Sequence, residues 1–422
     1  MASRMRRYTV IGVISLFLLI TCGAIGQIVA SRKTNCTGMG KDIFISWSPC
    51  ASAPFYFTAD VEWLYVKYGI NSAVGLGFAD ENILNGGMTN SRPVNHTVKL
   101  LSPQGVDVVW ASWMERKWYV AEIDFSDEEK NTIKEALHST FPSCDNEDIE
   151  NIEPKKGNYD IFHVCCFPGG ILRFFLESSD YNRVISLDIV SKGKETHELD
   201  ESFLYGRRGM IRREDEKYWE NVDDFFDEMT HDGKYKKELD AIEEEFGEET
   251  RNRIEYYREH GAPDPALWDP YFVRYNYNVS IVMEDPASQL RMESCFFTNA
   301  EMYERYPAVN PGNIITRPSA LKKLVFEWNS KGFIYSCYIY FNEEETFRIF
   351  QEAFGNAPDA KGELKVFMSK YNNYLELSLT VGEKTYAFEK MQIDIGRRER
   401  YYDSTDRFYE NYEGEHQDFV GR

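Results

Sequence analysis

Between Leu375 and Val381 the chain reads Leu-Glu-Leu-Ser-Leu-Thr-Val, apolar at every odd position and polar at every even one. Side chains on a strand point alternately to opposite faces, so this spacing predicts a β-strand with one buried and one wet face. Ile185, Leu187 and Ile189 alternate with Ser186 and Asp188 in the same way. Residues 335–341 repeat the pattern with aromatics, which favour a pleated surface. Similar runs occupy residues 55–66, 106–110, 118–125, 161–165, 171–176, 277–283 and 293–297. Many short strands separated by turn residues predict antiparallel pairing.

Two stretches share an order of features. Residues 106–137 read VDVVWASWMERKWYVAEIDFSDEEKNTIKEAL, and residues 323–354 read KLVFEWNSKGFIYSCYIYFNEEETFRIFQEAF. Side by side, Trp110 matches Trp328, Tyr119 matches Tyr335, and Phe125 matches Phe341. The acidic triplets Asp127-Glu128-Glu129 and Glu343-Glu344-Glu345 also fall together. Each stretch predicts a strand, a hairpin turn, a second strand and a helix. Ser126 or Asn342 stands where its oxygen can accept the free amide hydrogens of the first turn, and the acids that follow oppose the helix dipole. Both stretches continue into another hairpin, at residues 170–176 and 185–189 and at residues 374–379 and 391–395. An internal duplication is the expectation.

Between these halves, from about Glu214 to His260, alternation gives way to helical spacing with a heavy excess of acid. Trp219, Val222, Phe225, Phe226 and Met229 make one stripe; Leu239, Ile242 and Phe246 make a second, stopped by Gly247. Residues 248–260 predict a third helix, closed by Gly261-Ala262-Pro263. The acidic positions Glu243, Glu244, Glu245, Asp223 and Asp224 are the candidate partner-binding surface. A solvated arm packed on the sheets is the plainer alternative.

Residues 8–30 carry no charge across 23 positions. At about 1.5 Å of rise per residue such a helix crosses a hydrocarbon core of about 30 Å. Arg4, Arg6 and Arg7 precede it, which places the N-terminus in the cytoplasm and the body outside. Three readings stand: a retained anchor, a signal peptide cleaved after Ala30, or a lipoprotein signal with Cys22 as the lipid attachment site. Each gives a membrane-anchored or exported protein with an extracytoplasmic body, periplasmic or at the cell surface.

The 422-residue chain has a formal net charge of −21, which argues against a nucleic-acid partner and suits a basic protein partner. With 43% hydrophobic residues it can bury a core, so global disorder is excluded. None of the eight cysteines forms a CxxC pair and no histidine cluster accompanies them, so no metal site is assigned. Cys36 and Cys50 can pair in an oxidising compartment, whereas Cys165 and Cys337 read as small buried hydrophobes. There is no GxSxG, HExxH, GxGxxG or phosphate loop, so no cofactor and no catalytic residue is assigned. His163 shares a strand face with Cys165, but neighbours on one strand seldom present base and nucleophile correctly. Pro168-Gly169-Gly170 reads as a tight turn or as a ligand loop. The oligomeric state stays open.

Residues 108–119, VVWASWMERKWY, resemble the W-x-S-x-x-E-x-K-x-Y hairpin of a bacterial envelope family, domain of unknown function 2931. Phe167-Pro168-Gly169-Gly170 is similar to its P-G-G turn. Trp268, followed by Tyr271-Phe272-Val273-Arg274-Tyr275-Asn276-Tyr277, is similar to its W-x-x-Y-x-x-R-F-N-W stretch. Thr298-Asn299-Ala300-Glu301 stands where the family often has N-G-E, and Ala300 is a departure. The resemblance implies an exported, often lipidated protein with no established activity. Relatives encoded beside secreted antibacterial effectors imply an immunity role.

These readings add up to an α+β protein. Two related antiparallel β-rich halves with helices, 43–213 and 263–396, flank an acidic helical insert at 214–262. An N-terminal membrane segment at 1–42 precedes them and a charged, flexible tail at 397–422 follows. The function expected is that of a non-enzymatic binding protein. The alternative is an extracytoplasmic hydrolase with an unrecognised site, which converging acidic and histidine side chains would mark.

Overall fold

The alternating segments become strands, and their main elements follow a similar order on either side of the insert. In a computed structural model, the residues described are 44–196, 248–399 and 406–411, less several short stretches within those bounds. The apolar run at 8–30 and most of the insert lie outside them. No helix among the described residues is long and apolar enough to cross a membrane.

The main elements of the first half, short strands at Ala73–Gly75, Ile83–Leu84, Val98–Leu100, Thr140–Cys144 and Pro154–Asn158 aside, are β1 (Ile45–Ser52), β2 (Ala59–Tyr68), β3 (Pro103–Ser112), β4 (Lys117–Asp124) and α1 (Asp127–His138). It continues with β5 (Ile161–Phe167), β6 (Ile171–Glu177), β7 (Val184–Lys192) and β8 (Lys194–Thr196). Strands β1, β5, β6 and β7 lie side by side in one sheet, and β2, β3, β4 and β8 in another. Helix α2 (Glu248–His260) forms where residues 248–260 predict it.

After α2 come β9 (Tyr277–Met283), β10 (Gln289–Phe297), β11 (Met302–Arg305), β12 (Leu321–Ser330) and β13 (Phe333–Phe341). Then follow α3 (Glu343–Phe354), β14 (Gly362–Met368), β15 (Leu375–Val381), β16 (Lys384–Ala387), β17 (Met391–Arg398) and β18 (Asp406–Asn411). Here β9, β14, β15 and β16 make one sheet, while β10, β12, β13 and β17 are neighbours in another.

The described pairings are antiparallel with two exceptions, β1 with β5 and β9 with β14, at corresponding places in the two halves. A parallel partner needs a long crossover. In both halves that crossover includes a run of strands in the opposite sheet and a helix, β2, β3, β4 and α1 in the first and β10, β12, β13 and α3 in the second.

Each half fills the space between its sheets with the alternating apolar side chains. Trp110, Phe162, Phe174 and Leu187 meet Ile133 and Leu137 of α1 in the first. Trp110 stacks on Tyr119 with ring centroids 5.3 Å apart, and Trp328 on Tyr335 at 5.2 Å. Both pairs sit in direct strand register. Ser126 caps α1 in a reciprocal box with Glu129. Asn342 caps α3 by accepting from Glu345 N at 3.0 Å, but the Glu345 carboxylate turns inward to accept from the Lys390 amide at 2.7 Å.

The halves merge at one edge. Strand β11 bridges β10 to β7, so an eleven-stranded sheet runs through both. The backbone link is thin, a single register pair Val184–Met302. Side chains supply the rest. The short 3-10 segment Pro265–Phe272 drives Trp268 between Phe57 and Phe167, with centroids at 4.8 and 5.5 Å. Tyr271, from the same turns, packs edge-on to Phe347 of α3 and bonds Glu343. This segment also covers part of the outer face of β5 and β6, so β5 is buried along its whole length.

Candidate functional site

Burial on both faces of β5 brings polar groups into an unusual setting. Phe162, Val164 and Cys166 point into the first-half core, which leaves His163, Cys165 and Phe167 on the opposite face. The parallel register sets Cys50 beside His163 and Ser52 beside Cys165. On the other side, β6 sets Phe175 beside His163 and Glu177 beside Ile161.

His163 Nε2 lies 2.6 Å from Ser52 Oγ, and its Nδ1 faces Glu177 Oε2 at 3.5 Å without a hydrogen bond. Hydroxyl, imidazole and carboxylate thus stand in the order of an acid–base relay. Such an order can draw the proton from a serine once an acyl carbon reaches Oγ. Ser52 and His163 are both 0% exposed, so the folded protein encloses the hydroxyl rather than presenting it.

His163 and Cys165 do share a face, as the strand period requires, but the imidazole engages Ser52. Burial pushes the Cys165 thiol up to about 12, which leaves it protonated and unreactive at neutral pH. Cys166, Cys295 and Cys337 are raised by the same desolvation, consistent with structural thiols. Among the described residues no group of side chains is arranged to hold a metal ion. Cys36 lies outside the described residues, as do Cys22, Asp223, Asp224, Glu243, Glu244 and Glu245.

A second polar cluster clamps the junction of the halves. Arg274 gives Nε and one Nη2 bond to Asp188, at 2.7 and 2.9 Å. It also gives Nη1 and Nη2 to both oxygens of Glu301, at 3.0 and 2.8 Å, and Nη1 to the Arg317 carbonyl at 3.1 Å. All five guanidinium donors are used. Burial alone would lower the Arg274 pKa, but the bonds to Glu301 and Asp188 hold it above its ordinary value. Asp188 reaches the clamp because β7 bulges against β6, with Asp188 at φ +56, and a bulge re-aims side chains. Glu301 also accepts from Ser186 N at 3.1 Å, tying β7 to the turn before β11.

Ala300, beside Glu301, has φ +65. That left-handed conformation costs a non-glycine residue about 1–2 kcal/mol, which explains why glycine suits the position.

The motif residues of the first half also converge. Glu115 Oε1 accepts from Tyr119 OH at 2.9 Å and from Gly169 N at 3.0 Å. Pro168–Gly170 is a tight turn, with Gly169 at φ +76. A Cβ on Gly169 would meet Pro265 Cγ at 2.3 Å, and one on Gly170 would meet the Tyr119 ring at 2.8 Å. Lys117 pairs with Glu195 at 2.9 Å. The W-x-S-x-x-E-x-K-x-Y hairpin and the P-G-G turn are therefore two sides of one structural lock.

The family model described as "Protein of unknown function (DUF2931)" matches residues 36–263, more than half of the chain. The chain belongs to this family. The DUF2931 match takes in the hairpin, the turn and the Ser52–His163–Glu177 array. It ends before Trp268, so the motif-like stretches at 268–277 and 298–301 lie beyond it. Searches of curated proteins and of solved structures found no match.

Ser52, Glu177 and Asp188 escaped sequence reasoning. Ser52 and His163 are 111 positions apart, and only the parallel β1–β5 register makes them neighbours. Arg274 and Glu301 carried a signal in the motif-like stretches, though nothing in the sequence tied them to each other or to Asp188.

Proposed function

We propose that this DUF2931 protein is a non-enzymatic binding protein, held at the membrane by residues 8–30 with its body outside the cytoplasm. It captures a basic protein partner through the acidic insert that carries Asp223, Asp224, Glu243, Glu244 and Glu245. The observation that carries this reading is the combination of a net charge of −21 with halves clamped into one sheet at Arg274. A rigid, strongly acidic body attracts a basic partner and loses little conformational freedom on binding. A secreted basic effector is the partner class that the family resemblance suggests, which makes the role one of immunity. The recurrence of strand order, parallel pair and stacked Trp–Tyr pair supports an origin by duplication.

Capture should be salt-sensitive, because charges are screened over about 8–10 Å at ordinary ionic strength. Replacing Glu243, Glu244 and Glu245 together with lysine should weaken partner recovery from envelope extracts at low salt, with an unchanged circular dichroism spectrum showing that the variant is folded. Unchanged recovery would reduce the insert to a solvated arm. A topology reporter fused after Arg422 should be active only outside the cytoplasm. Activity inside would overturn the localisation.

One observation favours a second reading. The Ser52–His163–Glu177 order supports a hydrolase whose serine opens to substrate in another conformation. Phosphonate labelling of wild type that is lost in Ser52→Ala would establish it against the binding reading. An unlabelled protein that still captures its partner leaves the array as a buried polar tie.

A further inference from the structure

One tip of the second half departs from the acidic character of the chain, in which 69 acids outnumber 48 bases. Lys331, in the two-residue turn between β12 and β13, and Lys370, in the loop after β14, both hold their ammonium groups over the Tyr371 ring. The distances to the ring centroid are 5.7 and 5.2 Å. Neither lysine is ion-paired with a carboxylate among the described residues. Tyr371 and Tyr374 are 64% and 53% exposed. Alongside them Arg397 lies over Phe333 at 4.8 Å.

The loop presenting these groups is pinned. Trp328 Nε1 donates to Asn372 Oδ1 at 2.9 Å, and Asn372 Nδ2 donates to Ser330 Oγ at 3.2 Å. Asn372 is buried at φ +60, a conformation that asparagine tolerates better than most residues. Lys331 Nζ donates to the Lys370 carbonyl at 2.6 Å, and the Lys370 amide donates to Glu284 at 2.9 Å. A surface held in this way loses little freedom when it binds, and tyrosines supply contact area at low entropic cost.

We propose that this tip docks a short, extended acidic segment of a protein partner. Two ammonium groups beside one tyrosine ring can each donate charge-assisted bonds to successive carboxylates. The body's net charge selects the length of the segment. A folded acidic protein or an anionic membrane would meet the repulsion of the whole molecule, whereas a short segment feels only the tip, because screening removes charges beyond about 8 Å. The acidic insert attracts the opposite charge, so this surface is independent of the one proposed above.

The test is fluorescence anisotropy of a labelled hexaglutamate peptide, with hexalysine as comparison, titrated with the full chain in detergent micelles. Hexaglutamate should bind the wild type, more weakly at high salt. K331E/K370E should weaken it at least about tenfold. Both lysines are exposed, and an unchanged circular dichroism spectrum would confirm that the variant is folded. Tyr371→Ala should also weaken binding. Equal hexaglutamate affinity in wild type and K331E/K370E would overturn the proposal. So would vesicles with anionic lipid that bind the wild type but not K331E/K370E while hexaglutamate binds neither, which would make the tip a membrane contact. Failure with hexaglutamate leaves the insert reading standing, because that reading predicts capture of a basic partner.

Discussion

Arg274→Ala is expected to lower the unfolding free energy by about 3–5 kcal/mol, because it leaves a buried carboxylate without its counter-charge. Glu301 has a side chain only 2% exposed and takes two bonds from the guanidinium. Asp188, half-exposed and already in solvent contact, should contribute much less to the loss. The Glu301→Gln variant separates charge from shape, since it keeps the volume of the side chain and part of the bonding. Urea unfolding of the full chain, followed by circular dichroism, gives the comparison. If Arg274→Ala shifts stability by less than about 1 kcal/mol, an exposed pair's worth, the clamp does not hold the halves together.

Trp268→Ala should cost a similar amount, about 3–5 kcal/mol, through a different mechanism. The indole is 1% exposed and wedged edge-on against Phe57 and Phe167, so truncation opens a cavity that both aromatics must collapse into or leave empty. Its Nε1 has no hydrogen-bond partner among the described residues, so no bond is lost along with the ring. Trp268→Phe should therefore recover much of the stability, a result that a hydrogen-bonding role for Trp268 would not permit. Equal loss in both variants would show that the packing account is wrong.

These two side chains act in one place for a reason rooted in topology. The eleven-stranded sheet passes from one half to the other through a single register pair, so the backbone alone offers little resistance to hinging. A partly buried ion cluster at Arg274 and an aromatic wedge at Trp268, both within residues 265–274, take over that role. A binding protein benefits from such stiffness, because a rigid surface is already ordered before its partner arrives.

Much of the architecture could be read directly from the chain, because it depends on local periodicity. Leu375–Val381 and residues 335–341 announce strands by alternation, and Ser126 and Asn342 announce helix starts by their hydroxyl and amide oxygens. Trp110 with Tyr119, and Trp328 with Tyr335, could be matched by order alone even though the two turns differ in length. Helix α2 followed from its spacing and the glycine after it. Membership of DUF2931 was likewise legible, in the Trp110–Tyr119 hairpin and the Gly169-Gly170 turn.

What only the tertiary structure decided are the relations between distant segments. No spacing rule links Ser52 to His163, Asp188 to Arg274, or Lys331 to Lys370. Each pair meets because a parallel register, a bulge at φ +56, or two loops bonded through Asn372 bring the residues together. Alternation tells which face a side chain takes, but not what covers that face. The outer faces of β5 and β14 show the difference. On β14, Glu363 and Lys365 stand in solvent; on β5, His163 and Cys165 are sealed. Sequence determines the period of a strand through the geometry of the peptide unit, whereas burial of its second face depends on which remote segment comes to rest there.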